Sequence, residues 1–200
     1  MRTKLRRATD EDAQAIAEVY FESFRLLTFL PMLHTAEGYR RFIANVILKE
    51  CAVTVVEDDT GIVSFLALQG EEVRLLYTRP DRIGLGAGTQ LIEAAKSSGA
   101  EALELWCFQA NTSARRFYEA RGFYAIRFTD GAENEEQTPD VRYRWGAPIK
   151  LGCPSRLRLA PFNALWRNHS RPTGPIFVVF QASRSAAADF GDQVDLAVGV

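Results

Sequence analysis

A chain of 200 residues is long enough for one well-packed domain and too short for two large ones. With 47% apolar residues, 24% charged residues and a net charge of −1, it has the composition of a soluble globular protein, with nothing to recommend nucleic acid or a membrane surface as partner. Three scattered cysteines (Cys51, Cys107, Cys153) and two histidines (His34, His169) indicate neither a disulfide framework nor a metal site, and leave almost no material for a histidine-based triad.

The basic start, with Arg2, Lys4, Arg6 and Arg7, turns acidic at Asp10, Glu11 and Asp12, with no apolar core that would make it a secretory signal. No apolar run approaches a membrane span, so the expected location is the cytoplasm. After an opening strand, Thr9 and Asp10 cap a helix whose apolar positions are Ile16, Val19, Tyr20 and Phe24. A second helix is predicted from Thr35, with Tyr39, Phe42, Ile43, Val46 and Ile47 on one face. Ala52–Glu57 and Ile62–Leu68 flank the turn Asp58-Asp59-Thr60-Gly61 as a hairpin, and Val73–Thr78 follows as a third strand of this run. Next come the glycine-punctuated stretch Gly84-Leu85-Gly86-Ala87-Gly88, a helix ending at Ser98-Gly99, and a strand at Ala102–Phe108. A short helix over Thr112–Arg121 ends at Gly122, with Phe123 placed for a C-cap contact. Strands at Ala125–Thr129 and Val141–Trp145 are joined by a loop carrying Asp130, Glu133, Glu135, Glu136 and Asp140. That order predicts an α/β fold with a mixed, mostly antiparallel sheet flanked by helices.

Composition changes after Gly146. Five of the eight prolines lie beyond it, and residues 147–188 contain no Asp or Glu. The expected division is a domain over residues 1–146 and a basic, proline-rich, poorly ordered extension over 147–200, whose only strand-like segment is Ile176–Phe180.

A strand followed by a glycine-rich turn and a helix N-terminus is a generic anion site. Glycines admit the backbone close to the ligand, successive amides converge on phosphate oxygens, and the helix dipole adds a favourable field. It is not a Walker motif, because Gly88 is followed by Thr89 and Gln90 rather than Lys-Ser/Thr. Taken alone, the same glycines could serve an ordinary turn.

The stretch Pro80–Gly88, followed by Asn111, Ala114, Phe117, Tyr118, Gly122 and Phe123, resembles the paired motifs of the GNAT superfamily of N-acetyltransferases. The resemblance covers roughly residues 3 to 146. One departure stands out: Ile83 occupies the position of the family's Arg/Gln, with Arg82 one place earlier. The resemblance implies acetyl-CoA as acyl donor, its pyrophosphate on Gly84, Leu85, Gly86, Ala87, Gly88 and Thr89, with Arg82 supplying charge or the amides acting alone. It further implies that the edge of Leu76, Tyr77 and Thr78 pairs with the pantetheine arm, that Asn111 bonds the same arm, and that the sheet splays where the cofactor enters.

A thioester donor lets an amine attack directly in a ternary complex, with no cysteine nucleophile. The departing thiolate must be protonated, and by resemblance Tyr118 is the general acid. On the residues alone, Tyr118 also reads as a tyrosine packed beside Phe117, and Asn111 as a residue of the turn before a helix. No general base stands out among Glu22, His34, Glu72 and Glu104. The expected acceptor is a small-molecule or peptide amine, which the acidic loop would attract unless it is simply a solvated hairpin connection. The alternative function is a non-catalytic acyl-CoA sensor or interaction module. An exposed edge strand would permit a homodimer.

Overall fold

The computed structural model describes residues 2–147. The extension expected beyond Gly146, with its strand at 176–180, therefore lies outside the described residues apart from Ala147.

The chain opens with strand β1 (Lys4–Arg7) and a single 3-10 turn closed by a capping box between Thr9 and Asp12, which leads into α1 (Ala13–Phe24). Ile16, Ala17, Val19, Tyr20, Ser23 and Phe24 form its buried stripe at helical spacing. Helix α2 (Ala36–Phe42) is capped by Thr35, whose hydroxyl accepts from the Gly38 amide at 3.1 Å. It runs on through a π-helical stretch, Ile43–Ile47, into the short α3 (Leu48–Glu50). Strands β2 (Ala52–Asp58), β3 (Gly61–Gln69) and β4 (Glu72–Thr78) form a meander. They are followed by α4 (Ala87–Ser97), β5 (Ala102–Phe108), α5 (Thr112–Glu119), β6 (Tyr124–Phe128) and β7 (Asp140–Gly146). One expected boundary moves: α5 ends at Glu119, not Arg121, because Gly122 (φ +81°) reverses the chain and the Phe123 amide returns to the Tyr118 carbonyl at 3.1 Å.

The seven strands make one sheet in the order β1-β2-β3-β4-β5-β7-β6, and every pairing is antiparallel except β4 with β5. Each face of the sheet carries its own apolar core. On one, α1 and α2 cover Val53, Val55, Phe65, Leu75 and Tyr77. On the other, α4 and α5 cover Val56, Val63, Leu66, Leu76, Leu103, Leu105 and Cys107.

Strict alternation would put Val73, Leu75 and Tyr77 on one face. A bulge breaks it: Leu68 opposes Val73 and Ala67 opposes Leu75, so Arg74 is the extra residue of the bulged strand. Val73 and Leu76 consequently join the α4/α5 core while Leu75 and Tyr77 face α1 and α2.

The parallel pair β4–β5 meets at a single register position, Glu72 opposite Glu104, supported by the Glu104 amide donating to the Glu71 carbonyl at 2.9 Å. Beyond it the strands part toward Thr78 and Phe108. This is the splay the resemblance implied, and it gives the sheet one closed end and one open end.

Candidate active site

The cradle sits where β4 ends. Gly84 (φ +83°) and Gly86 (φ +92°) hold left-handed backbone that other residues adopt only with strain, and Gly86 is the N-cap of α4. Gly88 is the second residue of α4, where an added Cβ would come within 3.4 Å of the Phe117 ring. Together these glycines bring the first turn of α4 against α5.

A cavity of about 100 Å³ opens at this point, lined by Thr78, Arg82, Ile83, Gly84, Gly86, Ala87, Gly88, Thr89, Phe117 and Arg121. Seven of the predicted donor-binding residues thus share one concavity: Thr78, Arg82, Gly84, Gly86, Ala87, Gly88 and Thr89. Leu85 lies beside it and is 63% exposed, while Leu76 and Tyr77 are buried in β4. The carbonyl of Thr78 accepts from Ser23 at 2.7 Å and its hydroxyl lies 2.7 Å from that of Ser64, so both of these oxygens are already engaged.

Arg82 touches the cavity but is strongly held. Its guanidinium bonds Asp58 at 3.0 Å and Asp81 at 2.6 Å. The Asp58 carboxyl is held down to about 2, first by the Thr60 hydroxyl and then, after an opposing burial effect, by Arg82. Arg79 chelates Asp81 from the other side, at 2.6 and 3.2 Å.

The residue missed in the sequence is Arg121. Because α5 stops at Glu119, Arg121 folds back so that its guanidinium lies 3.6 Å from the centroid of Phe117. It donates to the Phe117 carbonyl at 2.7 Å and to the Thr89 hydroxyl on the first turn of α4. Among the described residues no carboxylate pairs with it, and its buried Nε–H has no hydrogen-bond partner. Burial lowers its pKa, the direction for a cation withdrawn from water. A partly desolvated cation with no carboxylate in direct contact, set against converging amides at a helix N-terminus, is the physical description of an anion site. Its signal was the arginine directly before the C-cap glycine of α5, a position where the chain doubles back over the preceding turn.

The second motif is placed differently. Asn111 is buried at the end of the β5 arm, and its Oδ1 caps α5 by accepting from the Ala114 amide at 3.0 Å. Tyr118 is fully buried, edge-on to Phe117 and Phe123 at 5.0 and 5.5 Å between centroids, and does not line the cavity. Burial, reinforced by Cys107, raises its pKa well above the ordinary phenol value, which keeps the hydroxyl protonated across the neutral range.

Of the four weighed bases, Glu72 and Glu104 lie at the closed end of the splay, where Arg142 and Arg144 engage Glu104. Glu22 projects from α1 into solvent. His34 lies at the open end, its Nε2 2.8 Å from Glu135 in the loop between β6 and β7.

That loop is a built element. Asn134 donates to the Thr138 carbonyl at 2.7 Å and accepts from its amide at 3.0 Å. The buried Asp140 carboxylate accepts from Asn134 at 3.1 Å and also bonds the Thr129 hydroxyl. Gly131 is required because a Cβ there would lie 2.3 Å from Thr138 backbone. The loop thereby places Glu135 beside His34 in the segment between α1 and α2.

Residues 49–125 match the model of the GNAT acetyltransferase domain. No curated protein matches the sequence significantly. Among solved structures, YjaB from Escherichia coli is similar at 23% identity and a TM-score of 0.61, covering 74% of this chain and 100% of its own. The PaiA N-acetyltransferase from Thermoplasma acidophilum, in complex with coenzyme A, aligns at 20% identity and a TM-score of 0.58 over 74% of this chain and 100% of its own. A GNAT-family acetyltransferase from Bacillus cereus gives 14% identity and a TM-score of 0.58, over 74% and 99%. At such identities these likenesses establish the fold. Among the described residues, no helix is long and apolar enough to cross a membrane.

Proposed function

We propose that this chain, which carries a domain of the GNAT acetyltransferase family, is an enzyme that transfers an acetyl group from acetyl-CoA to a primary amine in a ternary complex. The observation that carries this reading is the cavity between β4 and α4, where backbone amides and Arg121, which no carboxylate among the described residues contacts, converge beside a parting strand pair. A structural neighbour that holds coenzyme A supports the same choice of donor. The acetyl-CoA cosubstrate supplies an activated thioester.

In this reading the amides of Gly84–Thr89 and the guanidinium of Arg121 hold the pyrophosphate, with Arg82 adding field from its fixed position. The open edge of Leu76, Tyr77 and Thr78 aligns the pantetheine arm, narrowed by the commitment of the Thr78 carbonyl to Ser23. Asn111 borders the same arm. The acceptor nitrogen forms a bond to the acetyl carbon as the carbon–sulfur bond breaks. The nitrogen releases its proton to solvent, the departing sulfur takes one from the Tyr118 hydroxyl, and solvent returns a proton to the tyrosinate. Main-chain N–H groups near Leu76 polarise the carbonyl. Residues 1–146 form the catalytic domain and 147–200 an appendage.

The complete burial of Tyr118 favours a second reading, a non-catalytic acyl-CoA-binding module in which this ring only packs. Thiol release measured with acetyl-CoA and a broad amine panel tests the choice. Turnover with any amine supports the enzyme; CoA binding by calorimetry with no thiol released from any member overturns it in favour of the sensor.

A further inference from the structure

Arg121 is held by more than the cavity it lines. Its amide donates to the Tyr118 carbonyl at 2.9 Å, and its guanidinium reaches the Phe117 carbonyl and the Thr89 hydroxyl. Its own carbonyl lies beyond the end of α5, where no further turn of helix can donate to it. There it accepts from the Lys96 ammonium at 2.8 Å, the kind of cation that helix C-termini favour.

Lys96 belongs to the last turn of α4. Its side chain is 12% exposed, and its ammonium lies 5.2 Å from the Trp145 ring centroid and 5.8 Å from that of Phe123. The same Trp145 ring borders the turn that throws Arg121 back, since a Cβ at Gly122 would come 3.6 Å from it. Thr89 and Lys96 are two helical turns apart, on one face of α4. That helix therefore grips Arg121 twice, by the guanidinium at its first turn and by the main chain at its last.

Lys96 also bonds Glu93 at 2.9 Å, one turn earlier on the same helix. The carboxylate offsets its charge, so what Lys96 brings to the cradle is chiefly a fixed hydrogen bond. Fixing both the main chain and the guanidinium of Arg121 removes rotamer freedom that phosphate binding would otherwise have to remove.

We propose that Lys96 is a positioning residue for the donor site, seating Arg121 over Phe117 so that its guanidinium is in place before a phosphate arrives. This rests on the reading of the cavity as a CoA pyrophosphate site, but the seating of Arg121 is measurable in the free protein.

Nuclear magnetic resonance and calorimetry on the full chain test the proposal. The Phe117 ring current should move the Arg121 side-chain resonances upfield, Arg121→Ala identifying them by their loss. Lys96→Met keeps the stem against Phe123 and Trp145, removes the ammonium, and should return those resonances toward ordinary arginine positions. Lys96→Arg should keep most of the displacement. In calorimetry, Lys96→Met should raise Kd for CoA about three- to tenfold, and Lys96→Arg should stay within about twofold of the parent protein. Added to Arg121→Ala, Lys96→Met should change Kd no further, whereas a merely structural role would weaken binding equally in both backgrounds. Lys96→Leu replaces Lys96→Met in every comparison if the latter does not fold. Arg121 resonances unmoved by the change overturn the proposal, as does equal weakening with and without Arg121. Unaltered affinity in a protein that binds CoA overturns it too and leaves the donor site standing. If the parent protein binds no CoA, the donor-site reading falls, and the resonances alone support or overturn the seating of Arg121 by Lys96.

Discussion

At the cradle the converging groups are mostly main-chain amides, set by two left-handed glycines and the first turn of α4. On the other face of the sheet the meeting groups are side chains: the buried Tyr20, Tyr39 and Tyr77, and His34 with Glu135, drawn from α1, α2, β4 and two connecting segments. A backbone site demands particular residue types at fixed spacing, because only glycine permits the conformation and only a helix start supplies the amides. A side-chain site demands only that certain groups meet in space, and many sequences achieve that. The two regions consequently tolerate change differently. Motif substitutions at the cradle should damage CoA binding whatever the acceptor, whereas substitutions in the second region should leave CoA affinity alone.

The largest effect is expected at Tyr118. Tyr118→Phe keeps the ring packing against Phe117 and Phe123 and removes only the hydroxyl, so kcat should fall by about 10²- to 10³-fold with CoA affinity unchanged. An unaltered kcat would assign Tyr118 to the core alone. Next is Arg121→Ala. A hydrogen bond to a charged group contributes about 1.5–3 kcal/mol, so Kd for CoA should rise roughly 10- to 150-fold, with acceptor preference untouched. Arg82→Ala should cost less, because Asp58 and Asp81 already occupy its guanidinium. If Arg82 proves the more costly, the shifted charge beside Ile83 is the compensating one and Arg121 serves packing.

Gly86→Ala sharpens the donor side further. With φ at +92°, the added Cβ costs about 1–2 kcal/mol of strain. Thermal melting should show a Tm a few degrees lower, and CoA should restore part of it if the cradle still closes. The smallest effect concerns the helix that carries Tyr20. Arg6 donates to both oxygens of Asp12 at 2.7 and 2.9 Å, and this bonding holds the Asp12 carboxyl down to about 2. A depressed carboxyl contributes stability that is present above its unfolded value, about 3.9, and lost as pH falls through the folded one. Asp12→Asn should therefore lower Tm at pH 7, and the gap from the parent protein should narrow as pH drops toward about 2. A gap independent of pH would show the capping box, rather than the ion pair, to be what Asp12 supplies.

Much of the fold was legible. The hairpin around Asp58–Gly61, the strand at Ala102–Phe108 and the glycine-opened helix follow from turn chemistry and apolar periodicity, which act within a few residues. The bulge at Arg74 was not, because a bulge is defined by the partner strand, and its result, Val73 and Leu76 on one face with Leu75 and Tyr77 on the other, breaks the local alternation. The early end of α5 was missed by two residues, and with it Arg121, whose place depends on how Gly122 turns the chain.

What the sequence determined by itself is the cradle's backbone: Gly84, Gly86 and Gly88 after a strand, and Asn111 opening the next helix, are local requirements of backbone geometry. What only the tertiary structure decided is which side chains face one another across the splay. Arg121 meets Thr89 from 32 positions away, and His34 meets Glu135 from opposite ends of the fold. Local conformational preferences are written residue by residue, but the juxtaposition of distant side chains is set by how the layers pack, and packing is a property of the whole chain.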